Sequence, residues 1–139
     1  MHRFASLLLC LLLALPAYAE RKESFGELDV HYSVFNSSFL QPDVAAAVGL
    51  TRSKTLGVLN IAALKDGQGQ PAKVSGNVKN LLGQSSTLQF KQVLESGAVY
   101  YLAEFPLRER EVLTFSINVQ LGDDSPHTLT FNQEVFPDE

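Results

Sequence analysis

His31 and His127 are the residues beyond the N-terminal stretch that could support acid–base or metal chemistry, and they stand far apart in the sequence. Ser33, Ser37, Ser38 and Ser53 fall near His31, which supplies the residue types of a nucleophile and its base. No Gly-x-Ser-x-Gly elbow accompanies them, so a hydrolase is not expected and the chain reads as a non-enzyme. Sulfur ligands are confined to Met1 and Cys10, which excludes a soft copper or zinc site from the rest of the chain. Asp123-Asp124 and Asp66 with its glycines offer oxygen to calcium, but neither has the ligand spacing of a complete loop, and both read as polar hairpin turns. No metal and no cofactor is expected.

What remains is recognition chemistry. Arg52-Ser53-Lys54 places two cations two residues apart, a pattern that receives a carboxylate or closes a structural ion pair. His31 is on the polar register of its strand, close in sequence to Asn36. Asn36-Ser37-Ser38 fits a glycosylation acceptor, but the favoured reading is a turn in which the Asn side chain bonds backbone amides ahead of it. Tyr100 and Tyr101 must face opposite sides of a sheet, one toward the core and one offering ring area and a hydroxyl at the surface. His31, Asn36, Arg52, Lys54 and Tyr100 form the candidate binding surface.

The elements that must position them are strands. Apolar residues recur with a period of two at Leu28, Val30, Tyr32 and Val34, at Val99, Tyr101, Ala103 and Phe105, and from Leu113 to Leu121. Leu56 to Leu64 is apolar on both faces, as a central or covered strand would be. Further runs at 72–82, 88–94 and 129–135 bring the expected total to seven strands in about 120 residues. Gly76 marks a bulge or a close approach of another segment. Pro42 is placed to begin a helix, Asp43 suits its first turn and Gly49 ends it. That helix, about residues 42–48, is too short to stand alone, and is expected to cap one end of the fold with Val44, Val48 and Leu50. The expected architecture is all-β: an immunoglobulin-like antiparallel β-sandwich, with a closed small barrel as the alternative.

The N-terminus reads as an export signal. Met1-His2-Arg3 is positive, Phe4 to Leu15 is an apolar run, and Pro16-Ala17-Tyr18-Ala19 ends in a small-x-small pattern, predicting cleavage between Ala19 and Glu20. The run is shorter than the roughly 20 residues a stable membrane span needs, and no second stretch of that kind follows. Residues 20–139 then form one domain without cysteine, so its fold must rest on its core rather than on disulfides. The whole chain has 11 Lys and Arg against 15 Asp and Glu, a formal net charge of −4, with no basic cluster. Nucleic acid and attachment to anionic lipid are not expected. The location implied is the periplasm, with secretion as the alternative.

The sequence also carries a resemblance. His31-Tyr32, Phe35-Asn36, Phe39-Leu40, Pro42, Val44-Ala45, Arg52-Ser53-Lys54, Leu59-Asn60 and Leu64-Lys65 are its first part. Val74-Ser75-Gly76, Asn80 to Gln84, Tyr100-Tyr101 and Ala103-Glu104-Phe105-Pro106 continue it across nearly all of the processed chain. This pattern resembles a family of small exported proteins of Gram-negative proteobacteria, known only as a domain of unknown function. The resemblance implies an envelope protein with a single small domain and transfers no catalytic residue. Two functions are consistent with these features. One is a non-enzymatic interaction module for another envelope protein or an extended peptide added along a sheet edge. The other is a small-ligand or carbohydrate-binding domain with a polar pocket near His31, Asn36 and Arg52.

Overall fold

The period of two becomes two antiparallel sheets packed face to face. The computed structural model describes residues 21–95 and 97–137, so the expected cleavage point between Ala19 and Glu20 lies outside the described residues. In chain order the strands are β1 (Arg21–Phe25), β2 (Leu28–Asn36), β3 (Leu56–Lys65), β4 (Gln68–Gly69) and β5 (Lys73–Lys79). They continue as β6 (Ser85–Thr87), β7 (Lys91–Glu95), β8 (Ala98–Pro106), β9 (Glu111–Gln120) and β10 (His127–Val135). The larger sheet has the order β1-β2-β3-β8-β7, with β4 on β3, and the smaller has β10-β9-β5-β6.

Every second residue of the long strands enters the space between the sheets. Val30, Leu59 and Ile61 from one side meet Phe115, Ile117, Val119 and Leu129 from the other, all fully buried. Each such side chain stabilises the fold by about 1.5–3 kcal/mol through removal of apolar surface from water. A relay of rings crosses this core: Phe105 meets Phe115 edge-on at 5.2 Å, Phe115 stacks on Phe131 at 5.1 Å, and Phe131 lies 4.4 Å from Tyr32. Tyr101 is the core member of its pair, and its hydroxyl accepts from the Ala72 amide at 2.8 Å and from Gln92 Nε2 at 3.0 Å. Gly76 marks a close approach: a Cβ there would run into the Ser116 carbonyl oxygen and Ile117 on β9.

The helix α1 (Pro42–Val48) has the expected boundaries, with Pro42 at its first position and Gly49 left-handed at φ 74° as its C-cap. Its position differs from the expectation of an end cap. Val58 is fully buried yet stands out of register with the inward-facing Leu59 and Ile61, and Val58, Ala45 and Leu50 are buried outside the core between the sheets. The segment therefore lies across the outer face of the larger sheet, where Lys91 Nζ of β7 donates to the Gly49 carbonyl at 2.7 Å. Ala45 and Leu50, not Val44 and Val48, are its buried anchors.

Two further expectations need correction. There are ten strands among the described residues rather than seven. The three additional ones lack the alternation that marks a half-buried strand: β1 is exposed up to Phe25, β6 is exposed throughout, and β4 has two residues. The strand order is also not that of an immunoglobulin domain, where the third strand crosses to the second sheet. Here β1, β2 and β3 are successive neighbours in one sheet, and the two sheets do not close into a barrel.

Candidate functional site: an apolar groove at the seam of the sheets

Four residues, 107–110, carry the chain from the end of β8 to the start of β9. The strand ends at Asn36, Leu56, Pro106, Glu111 and Val135 therefore gather at one end of the sandwich. Here β2 and β10, which belong to different sheets, both end. Among the described residues, which begin at Arg21, the pairing of β1 with β2 reaches Tyr32, whereas the pairing of β3 with β2 runs on to Asn36. The edge of β2 from Ser33 to Phe35 thus carries no strand on its β1 side among the described residues.

A groove of about 650 Å3 lies beside that edge. Val34, Phe35 and Phe39 form one wall, and Val135 and Phe136 form the other. Asn36 Nδ2 donates to the Phe136 carbonyl at 3.1 Å and ties the two walls together. At the foot of the groove Arg21 closes the seam. Its guanidinium carbon lies 5.0 Å from the ring centres of both Tyr32 and Phe131, and its Nη2 donates to Gln133 Oε1 at 2.8 Å. Arg110 lies over Phe136 at 5.2 Å, and its Nε is 3.9 Å from Glu134. A strand edge beside apolar walls can add an extended segment through backbone hydrogen bonds, with alternate side chains entering the groove.

The five sequence-derived candidates occupy separate places. Asn36 alone lines the groove. His31 is on the outer register of β2, between Lys22 of β1 and Ala62 of β3. Tyr100 shares that outer face from β8, opposite Val93. Arg52 Nη2 donates to the Ser38 carbonyl at 3.2 Å, in an exposed loop that also exposes Lys54. Ser37, read from the sequence as part of a turn, holds this loop: it is fully buried, its hydroxyl donates to the Ser53 carbonyl at 3.0 Å and accepts from the Ser53 amide at 2.9 Å.

Sequence reasoning also missed Phe35, Phe39 and Phe136. The available signal was Val34-Phe35, two adjacent apolar residues where alternation calls for one. His127 lies at the opposite end, stacked on Phe25 at 4.7 Å, beside a cavity of about 190 Å3 lined in part by Glu27, Lys65 and Asp124. Among the described residues no three His, Cys, Asp or Glu side chains group as a metal site, and no helix is long and apolar enough to cross a membrane.

The fold and groove define a class: a two-sheet antiparallel β-sandwich with an apolar cleft at one end. The chain belongs to the family of the domain of unknown function DUF4426, whose model matches residues 22–138. It is similar to the crystal structure of a DUF4426 family protein from Pseudomonas aeruginosa, with 50% identity, a TM-score of 0.82, and coverage of 87% of this chain and 98% of that one. A copper-bound variant of FetP from uropathogenic Escherichia coli is 12% identical with a TM-score of 0.64, covering 86% of this chain and 96% of that one. A second FetP structure, of protein expressed in the periplasm, is 11% identical with a TM-score of 0.58, covering 87% and 96%. The FetP likenesses show the fold. No curated protein sequence matches the chain.

Proposed function

We propose that this protein is a non-enzymatic binding module of the Gram-negative periplasm that takes an extended apolar segment of a partner protein into the groove between β2 and β10. The observation that carries this reading is the groove itself, with Val34, Phe35 and Phe39 on one side and Val135 and Phe136 on the other. With cleavage between Ala19 and Glu20, as the sequence predicts, at most Glu20 is left to extend β1, so an incoming strand continuing its line would bond the β2 edge beyond Ser33 and set alternate side chains against Phe39, Val135 and Phe136. The periplasmic location draws on the signal-like N-terminus and on the periplasmic expression of the FetP neighbour. The alternative of a carbohydrate pocket is less favoured, because three phenylalanines and two valines outnumber the polar lining of Asn36, Gln133 and Glu134, and only Asn36 of the sequence-derived candidates is present. Copper belongs to the FetP structure; the absence of Cys and Met beyond Cys10 argues against a soft site of sulfur ligands here.

The test is fluorescence polarisation with labelled octapeptides that alternate Val, Ile or Phe with Ser or Thr. Phe39 is 73% exposed, so Phe39→Ser leaves the core intact and should weaken binding roughly tenfold, the scale of a lost aromatic contact. Equal affinity for the variant and the parent protein, or no binding by any such peptide, refutes the reading.

A further inference from the structure

We propose that the end of the sandwich bearing Leu81 and Leu82 docks on an anionic lipid surface; the inference shares Phe39 and Phe136 with the groove but rests on Leu81 and Leu82, which do not line it. Leu81 and Leu82 are 78% and 85% exposed at the tip of the turn between β5 and β6. The turn is built rather than slack. Asn80 Oδ1 accepts from the amides of Leu82 and Gln84 at 3.0 Å each, Asn80 Nδ2 donates to Gln84 Oε1 at 2.8 Å, and the Asn80 amide donates to the Gln84 carbonyl at 3.0 Å. Gly83, at φ 84°, takes the left-handed conformation that closes it. Two adjacent leucines are thereby held out in water by a fixed scaffold.

Exposed large apolar side chains scattered singly need no explanation, but these are gathered. Phe39 and Phe136 extend from the same end, and Val44 is exposed on the nearby α1. Leu94, 70% exposed, stands apart toward the far end of β7. The tips at Leu81-Leu82, Phe39 and Phe136 each have a cation beside them in the structure or the chain, whereas Asp43 precedes Val44. Lys79 precedes the Leu81-Leu82 turn, and Arg108 lines a cleft with Asn80 and Gln84. Arg52 bonds the Ser38 carbonyl next to Phe39, and Arg110 covers Phe136. Carboxylates are present too: Glu109 stands between Arg108 and Arg110, Glu111 lines the Arg108 cleft and Glu134 lies near Arg110. The opposite end is more acidic among the described residues, with Asp66, Glu95, Asp123 and Asp124 in or beside its hairpin turns.

This pattern selects the occupant. Apolar tips on separate chain segments, interleaved with cations, do not make the continuous face of about 800 Å2 that a protein partner of standard size covers. A fluid lipid boundary accepts separate apolar side chains while Lys and Arg remain at headgroup level. The acidic far end orients the molecule with its cationic tips toward a negative surface. The absence of a basic cluster limits the electrostatic share, so the leucines must supply the anchoring.

The chain contains no tryptophan, so Leu82→Trp introduces a single reporter at the tip and Leu94→Trp a control at the other end. Vesicles of phosphatidylethanolamine with roughly a quarter phosphatidylglycerol are compared with phosphatidylcholine alone. With the anionic vesicles, Leu82→Trp should shift its emission to the blue and become roughly threefold less accessible to acrylamide, while Leu94→Trp stays unchanged. As a second readout, parent protein should co-sediment with these vesicles and the Leu81→Ser/Leu82→Ser variant should not. No change at Leu82→Trp overturns the proposal, as does an equal change at Leu94→Trp or an equal response to phosphatidylcholine. A blue shift that grows with protein concentration without vesicles also overturns it, assigning this end to self-association.

Discussion

Replacing Arg21 with alanine tests how the seam below the groove is held. The guanidinium lies over two ring faces, Tyr32 and Phe131, each at 5.0 Å, and donates one hydrogen bond to Gln133. At an exposed site a cation–π contact contributes about 0.5 kcal/mol at the low end of its range, so the two rings account for about 1 kcal/mol. The hydrogen bond adds about 0.5–1 kcal/mol net. Because the three contacts share one side chain they are not strictly additive, and Arg21→Ala should cost about 1.5 kcal/mol, or roughly 5 °C in Tm for a domain of this size. Arg21→Lys keeps the charge but loses the planar stack, and should retain less than half of the stabilisation. Urea denaturation of the parent, Arg21→Ala, Gln133→Ala and the double variant closes a thermodynamic cycle, with an expected coupling of about 0.5–1 kcal/mol. Hydrogen exchange should meanwhile quicken in β1, which among the described residues pairs with β2 alone. A loss below about 0.3 kcal/mol, within the ordinary range for a surface substitution, would refute the argument that this side chain latches the seam.

Two other substitutions follow from the same packing. Tyr101→Phe removes the acceptor of both the Ala72 amide and Gln92, and should lower stability by about 1–3 kcal/mol in urea denaturation, chiefly through the Ala72 amide left unsatisfied. Ser37→Ala removes both hydrogen bonds to Ser53, and a loss of about 1–3 kcal/mol is expected, with faster amide exchange over residues 51–55 measured by NMR.

The parts of the fold legible in the sequence are those with a local physical signature. Pro42 and Gly49 fix the ends of α1 because each has a backbone preference that suits one helix terminus. Leu113 to Leu121 reads as a strand because one face is buried and the other is wet. Strands β1, β4 and β6 were not legible, since each is the short, mostly exposed arm of a hairpin and carries no apolar alternation. The cover formed by α1 was misplaced because Val44 and Val48 are the more apolar choices, whereas the close approach to the sheet is made by Ala45 and Leu50. Of the site, Asn36 was marked by its turn chemistry. Its partner Phe136 stands 100 positions away, and no local pattern joins them. The groove is lined by residues of β2 and β10 from different sheets, a property of the topology rather than of any single segment.

The most direct measurement of the account is residue-resolved amide exchange by NMR, with and without an alternating Val/Ser octapeptide. Strand addition beside β2 predicts slowed exchange at amides within Ser33–Phe35, with little change along Lys91–Glu95, the edge strand at the other side of the same sheet. Unaltered exchange at Ser33–Phe35 with saturating peptide, or protection confined to Lys91–Glu95, would contradict it.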